Sequence, residues 1–208
     1  MKTTVAQKAL TGLAGPPLVV IGASAGGPAA LALLLKGLPA KFPAAIVVVQ
    51  HIDARFVDGL ANWLGEQCSL PVRLAREGDR PEVGTVLLAG HGGHLILRAD
   101  GRLAYVSEPR NHAFCPSIDI FFQSVCEGWS GATSGVLLTG MGADGALGLK
   151  ALRLKGRHTI AQDRATSAVY GMPKAAAAVG AAIDILPLDR IAARLVRALP
   201  ATATGDHP

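Results

Sequence analysis

A serine, a histidine and an aspartate in this chain each follow a short apolar run: Ser24 after residues 18–21, His51 after 46–49 and Asp144 after 135–138. A serine hydroxyl becomes a nucleophile only beside a base, and an imidazole base works best when a carboxylate fixes its tautomer and stabilises the imidazolium. Gly22, Ser24 and Gly26 fit the G-x-S-x-G pattern of a sharp strand-to-helix turn that projects a hydroxyl. A helix opening at such a turn offers free N–H groups where an oxyanion would form. A Gly-rich turn of this kind also suits a phosphate or dinucleotide. Here a G-x-G-x-x-G register begun at Gly22 reaches Gly27 but places Ser24 at the second glycine, where backbone must approach a pyrophosphate. The strand over 46–49 leads into Gln50 and His51 rather than a ribose-binding acid. Nucleophile and base is therefore the favoured reading. Taken singly, His51 also reads as a strand-end histidine and Asp144-Gly145 as a turn and helix cap. The order Ser–His–Asp differs from the Ser–Asp–His order of α/β-hydrolases and argues against a lipase-type fold.

The elements around these residues alternate. Residues 18–21, 46–49, 71–75, 85–89, 135–138, 159–161 and 183–186 read as strands. Helices are predicted over 29–38, 56–68, 146–155, 174–179 and 188–199, with Trp63 read as core on the second. Asp100-Gly101 between the runs 95–98 and 103–106 predicts an antiparallel hairpin. Ser117 reads as the N-cap of a helix reaching about residue 127, with Asp119 in its first turn. Such alternation predicts an α/β fold whose parallel sheet is covered on both faces. Ligands of open sheets lie outside the C-terminal ends of the strands, where Ser24, His51 and Asp144 fall.

With 208 residues, one catalytic domain over 18–199 is expected, preceded by a flexible lead over 1–17 and followed by a disordered tail over 200–208. No apolar run approaches the ~18 residues of a membrane span, and the N-terminus lacks a signal-peptide core, so a cytoplasmic protein without membrane insertion is expected. The net charge of +5 is scattered rather than massed, which argues against nucleic acid as a partner. Cys68, Cys115 and Cys126 read as reduced core thiols. His91 and His94 flank a Gly-Gly turn without evident third and fourth ligands, so no metal is expected, and no organic cofactor is needed. His112 and His158 read as surface residues without partners.

In combination and order, Ile21-Gly-Ala-Ser-Ala-Gly-Gly27, Val49-Gln-His51, Cys115-Pro-Ser-Ile-Asp119, Leu138-Thr-Gly-Met-Gly-Ala-Asp-Gly145, Ala161-Gln-Asp163 and Gly171-Met-Pro173 resemble the catalytic domain of chemotaxis protein-glutamate methylesterases, the CheB type. The resemblance runs from about residue 19 to 195. It implies a three-layer α/β/α sandwich, mainly parallel with a small antiparallel element. It also implies a serine esterase that hydrolyses glutamate methyl esters on chemoreceptor helices, some members deamidating receptor glutamines. Ser24 matches the family's nucleophile, His51 its base, Asp144 its orienting acid and Met141 a backbone donor to the oxyanion. The backbone of Ala25, at the Ser24 turn, is the second expected donor. Three departures stand out. Only about seventeen residues precede the first strand, whereas the family usually carries a receiver domain there, so control by a separate response regulator is expected. Ala25 stands where a threonine is common, and Cys115 where an arginine is common.

A small-molecule serine esterase and a non-catalytic docking module on the same fold are the alternatives. Simple esters should outperform methylated receptor for the first, and no activated serine should exist in the second. Because receptor methylation helices are rich in Glu and Gln, Arg110 and Arg164 are the candidate docking residues on a basic rim.

Overall fold

The structure is a computed structural model that describes residues 15–90, 92–110 and 113–199. The expected lead (but for its last residues) and tail, together with His91 and His112, lie outside the described residues. Seven strands form one parallel sheet: Leu18–Ala23 (β1), Ala45–Gln50 (β2), Val72–Leu74 (β3), Val86–Leu88 (β4), Thr133–Leu137 (β7), His158–Gln162 (β8) and Asp184–Leu186 (β9), in the order β3-β4-β2-β1-β7-β8-β9. His94–Leu97 (β5) and Leu103–Val106 (β6) form a separate antiparallel hairpin, turned at Asp100-Gly101 as their sequence predicts.

Six helices cover this sheet: Gly27–Lys36 (α1), Val57–Gln67 (α2), Ile118–Gly128 (α3), Ala146–Leu154 (α4), Met172–Ala178 (α5) and Leu188–Ala198 (α6). The apolar runs of β1 and β2 are buried along their whole length because alternate side chains serve opposite faces. Val19, Ile21, Ile46 and Val48 join one core with α1, α2 and α6. Leu18, Val20, Val47 and Val49 join the other with α3, α4, α5 and the hairpin. The result is the expected three-layer α/β/α sandwich.

The chain leaves β1 for α1 on one face and leaves β7 for α4 on the other. Since β1 and β7 are neighbours, their C-terminal ends diverge and open a crevice at the switch point of the sheet. The loops that follow these strands carry Ser24 and Asp144.

Two expectations about burial are corrected. On α2 the buried stripe is Val57, Leu60, Ala61 and Leu64, and Phe56 and Trp63, one position before Val57 and Leu64, are turned off it. Trp63 is therefore 39% exposed rather than core, and Phe56 lies at the surface beneath the guanidinium of Arg55. The cysteines are free thiols, but Cys115 is exposed, while Cys68 and Cys126 are half-buried. Among the described residues no helix is long and apolar enough to cross a membrane.

Candidate active site

Ser24 follows β1 and His51 follows β2, and the parallel register pairs Ala23 with Gln50 directly before them. The His51 N–H donates to the Ala23 carbonyl at 3.0 Å, so the two residues sit side by side at neighbouring strand ends, about 5 Å apart along the sheet. The Ser24 turn is tied down on its own side as well. Its N–H donates to Thr139 O (3.0 Å), its carbonyl accepts from Gly27 N–H (2.7 Å), and the Thr139 hydroxyl donates to Ala25 O (2.9 Å). Gly26, at φ 77°, makes the left-handed step that turns strand into helix. Across the crevice, a Cβ on Gly140 would lie 2.7 Å from Ser24 Cβ and against Met172 Sδ, so only glycine lets the β7 loop approach the serine this closely.

Asp144 reaches the site from the loop after β7. It is 7% exposed, and its carboxylate lies over the start of α3, where helix N–H groups lack intrahelical partners. It accepts from Ile118 N–H (2.8 Å), Asp119 N–H (3.0 Å) and the Ser117 hydroxyl (2.9 Å). Ser117 is the N-cap that its position predicts, with its oxygen accepting from Ile120 N–H, and its hydroxyl proton serves Asp144. Burial pushes the Asp144 carboxyl up, but these bonds and the one from His51 outweigh it and hold the group below the usual carboxylate range. Asp119, one turn along, moves the other way. Burial lifts it, the Gly148 N–H opposes, and the nearby Asp144 charge adds to the lift.

The His51 tautomer follows. An ionised carboxylate only accepts, so the 2.8 Å contact between His51 Nε2 and Asp144 Oδ2 places the ring proton on Nε2. Nδ1 then carries a lone pair, and it is buried without a hydrogen-bond partner among the described residues. The bond expected from Ser24 to His51 is thus not formed, as is common before substrate tightens a site. Phe114 stacks on the imidazole, with ring centroids 4.2 Å apart and planes 7° from parallel. It covers one face of the ring and fixes its plane.

Both expected oxyanion donors belong to exposed residues. Ala25 is exposed and Met141 is 69% exposed, and neither backbone N–H has a hydrogen-bond partner among the described residues. The Met141 loop is strapped to the loop after β8, with Gly140 N–H donating to Val169 O and Gly171 and Met172 N–H donating to Gly140 O. Gln162 supports the strap by accepting from Thr139 N–H at 2.8 Å.

Of the docking candidates, Arg110 is engaged by its neighbour Glu108 at 3.0 Å, while Arg164 is exposed and forms no ion pair among the described residues. Cys115 lines a cavity of about 220 Å³ beside His51, together with Gln50, Ile52 and Pro116. His94 is buried. Its Nδ1 accepts from Ser117 N–H (3.1 Å), so its Nε2 proton points to Pro109 O (3.2 Å) and the ring braces the loop leading into α3. His158, expected on the surface without partners, is half-buried and bonded to Asp184 and Ser134. Phe114 escaped sequence reasoning because nothing in its spacing points to His51. Ser117 was found as a cap, but its bond to Asp144 spans 27 positions and has no local signal.

Comparison with known proteins shows the family of the chain. The CheB methylesterase family covers residues 19–195. The chain is 64% identical over 198 residues to a "Protein-glutamate methylesterase/protein-glutamine glutaminase 1" of Bordetella avium, which covers 93% of this chain and 58% of that protein. It is also 64% identical over 178 residues to the like-named enzyme "of group 3 operon" of Pseudomonas putida, covering 86% and 53%. The chain thus spans about half the length of the curated relatives it matches. The crystal structure of the Thermotoga maritima CheB methylesterase catalytic domain superposes with a TM-score of 0.81 at 36% identity, covering 86% of this chain and 97% of that one. With the family spanning most of the chain and the architecture in agreement, the chain belongs to the CheB methylesterase family.

Proposed function

We propose that residues 18–199 form a serine esterase that hydrolyses glutamate methyl esters on the cytoplasmic helices of chemoreceptors, and that the same site deamidates receptor glutamines. The observation that carries this reading is His51, with Nε2 held on Asp144 and a free Nδ1 one strand over from Ser24. Ser24 Oγ attacks the ester carbonyl carbon while His51 Nδ1 takes its proton. The carbonyl oxygen becomes an oxyanion met by the Ala25 and Met141 N–H groups, the kind of preorganised charge stabilisation that supplies much of such a rate. The intermediate collapses, breaking the bond to methoxide, which leaves as methanol with the His51 proton. Water then gives a proton to His51 and adds its oxygen to the acyl carbon, and the glutamate carboxylate is released with Ser24 regenerated. A glutamine follows the same path with ammonia as the leaving group.

The printed names of the relatives support both activities, and the exposed Ala25–Met141 crevice suits a side chain that protrudes from a helix. Release of methanol from methylated receptor helices tests the reading. The chain should release it and Ser24→Ala should not. Faster turnover of simple soluble esters than of receptor would favour a small-molecule esterase instead.

A further inference from the structure

Gln50 is the last residue of β2, 2% exposed, and its side chain does not face the crevice in which the reaction is placed. Its amide nitrogen carries two protons. One goes to the carbonyl of Ser24 and the other to the carbonyl of His51, each at 2.9 Å. A single buried amide therefore bridges the main chains of the two residues read as nucleophile and base. Its oxygen, Oε1, is buried without a hydrogen-bond partner among the described residues. It packs against Gly27, where a Cβ would come within 1.9 Å of it. A buried amide satisfied on one side only is an expensive way to fill space, and an apolar side chain of the same length would serve packing as well or better.

We infer that Gln50 is a positioning residue that sets the spacing of Ser24 and His51 by clamping both carbonyls. The inference rests on the reading of those two residues given above. The clamp matters because β1 and β2 end one residue earlier. Beyond Ala23 and Gln50 the strand ladder offers only the His51 N–H bond to Ala23, and the Ser24 turn is otherwise held from the β7 side and by its own helix. Without the amide, the serine can follow the β7 loop while the histidine follows β2. A displacement of about 1 Å between reacting groups can cost on the order of 100-fold in rate.

The test uses the 208-residue chain with a small methyl ester and a fluorophosphonate. Gln50→Met keeps the length and removes the clamp. The expected result is a kcat lowered by about 10–100-fold and slower fluorophosphonate labelling by a similar factor, with KM within about two-fold and an unchanged thermal midpoint. A kcat within about two-fold of the parent in folded Gln50→Met overturns the inference. Should Gln50→Met unfold, Gly27→Ala decides, because its Cβ displaces the amide without removing it. A lowered kcat at unchanged KM supports the clamp, and a parental kcat overturns it. Ser24→Ala runs alongside. Retained turnover there would instead defeat the reading of Ser24 itself.

Discussion

Among the described residues two Ser–His–Asp groups stand at opposite ends of the same parallel sheet. At the C-terminal ends stand Ser24, His51 and Asp144, and at the N-terminal ends Ser134, His158 and Asp184. By distance alone the second is the more complete. The His158 ring bonds to Asp184 at 2.8 Å and to the Ser134 hydroxyl at 3.4 Å, whereas His51 Nδ1 has no partner among the described residues. The surroundings reverse that ranking. Ser134 is 3% exposed inside β7, its backbone committed to the sheet, whereas Ser24 stands half-exposed at a turn with exposed Ala25 and Gly26, and the Ala25 and Met141 N–H groups have no hydrogen-bond partner among the described residues. Asp184 is shared with Arg194, which ties α6 to the sheet at 2.7 Å, whereas Asp144 is shared with uncharged donors, the α3 N-terminus with its cap and the Gly145 N–H. On the proposal made above, it is access and unpaired donors that separate a triad from a mere cluster of the same residue types. The N-terminal group is a structural clasp built from the same three residue types.

The most severe break of this comparison is the serine pair. Ser24→Ala should lose at least about a thousand-fold in kcat/KM with its fold intact, while Ser134→Ala should stay within about two-fold. Esterase assays on both, with circular dichroism as the fold control, check this.

The aspartates come next and separate activity from stability. Asp144→Asn should lower kcat by about 10²–10⁴-fold, because the wrong His51 tautomer is then favoured, and Asp184→Asn should leave kcat alone. In acid the two should behave alike. Burial pushes Asp184 up, but its bonds to His158 and Arg194 outweigh it, so both folded carboxyls lie below their ordinary value. A depressed folded pKa contributes stability that is fully present above the unfolded value of about 3.9 and is lost as pH falls through the lower folded value. Urea midpoints measured from pH 6 down to pH 2 should therefore fall less steeply in either Asn variant than in the parent.

Phe114 sharpens the contrast from another side, since no ring is stacked on His158 among the described residues. Phe114→Ala frees one face of the His51 ring and should cut kcat by about ten-fold with little change in thermal midpoint, read by steady-state kinetics beside a melting curve. The smallest effect belongs to Arg164. If the basic rim guides an acidic helix, raising salt should slow the reaction on receptor at low substrate and spare a small neutral ester, because exposed attractions are screened within ~8–10 Å. Arg164→Ala should weaken the receptor reaction by only a few-fold, and equal salt responses of the two substrates would leave shape alone to select the helix.

The C-terminal edge of the sheet, where the reaction is proposed, was legible in the sequence because parallel strands buried on both faces announce themselves as unbroken apolar runs, and the residues that follow them necessarily gather at one edge. Ser24, His51 and Asp144 could be read that way before any register was known. The clasp could not. His158, Ser134 and Asp184 meet only because β7, β8 and β9 lie side by side in one particular register, and a histidine at a strand start carries no local sign of its neighbour. Trp63 was misplaced for a related reason. An apolar stripe read from spacing alone can be wider than the face that packs, and the packing of α2 kept Val57, Leu60 and Leu64 but left Phe56 and Trp63 outside. The clamp by Gln50 was equally hidden, since a polar residue ending a strand gives no hint that its amide turns inward.

The central claim is that only one of the two groups holds an activated serine, and covalent labelling tests it most directly. The chain is treated with a fluorophosphonate, digested, and the modified peptide located by mass spectrometry. The account predicts a single adduct on Ser24, absent from His51→Ala and present at full rate in His158→Ala. An adduct on Ser134, or esterase turnover in a chain whose Ser24 never reacts, would contradict it.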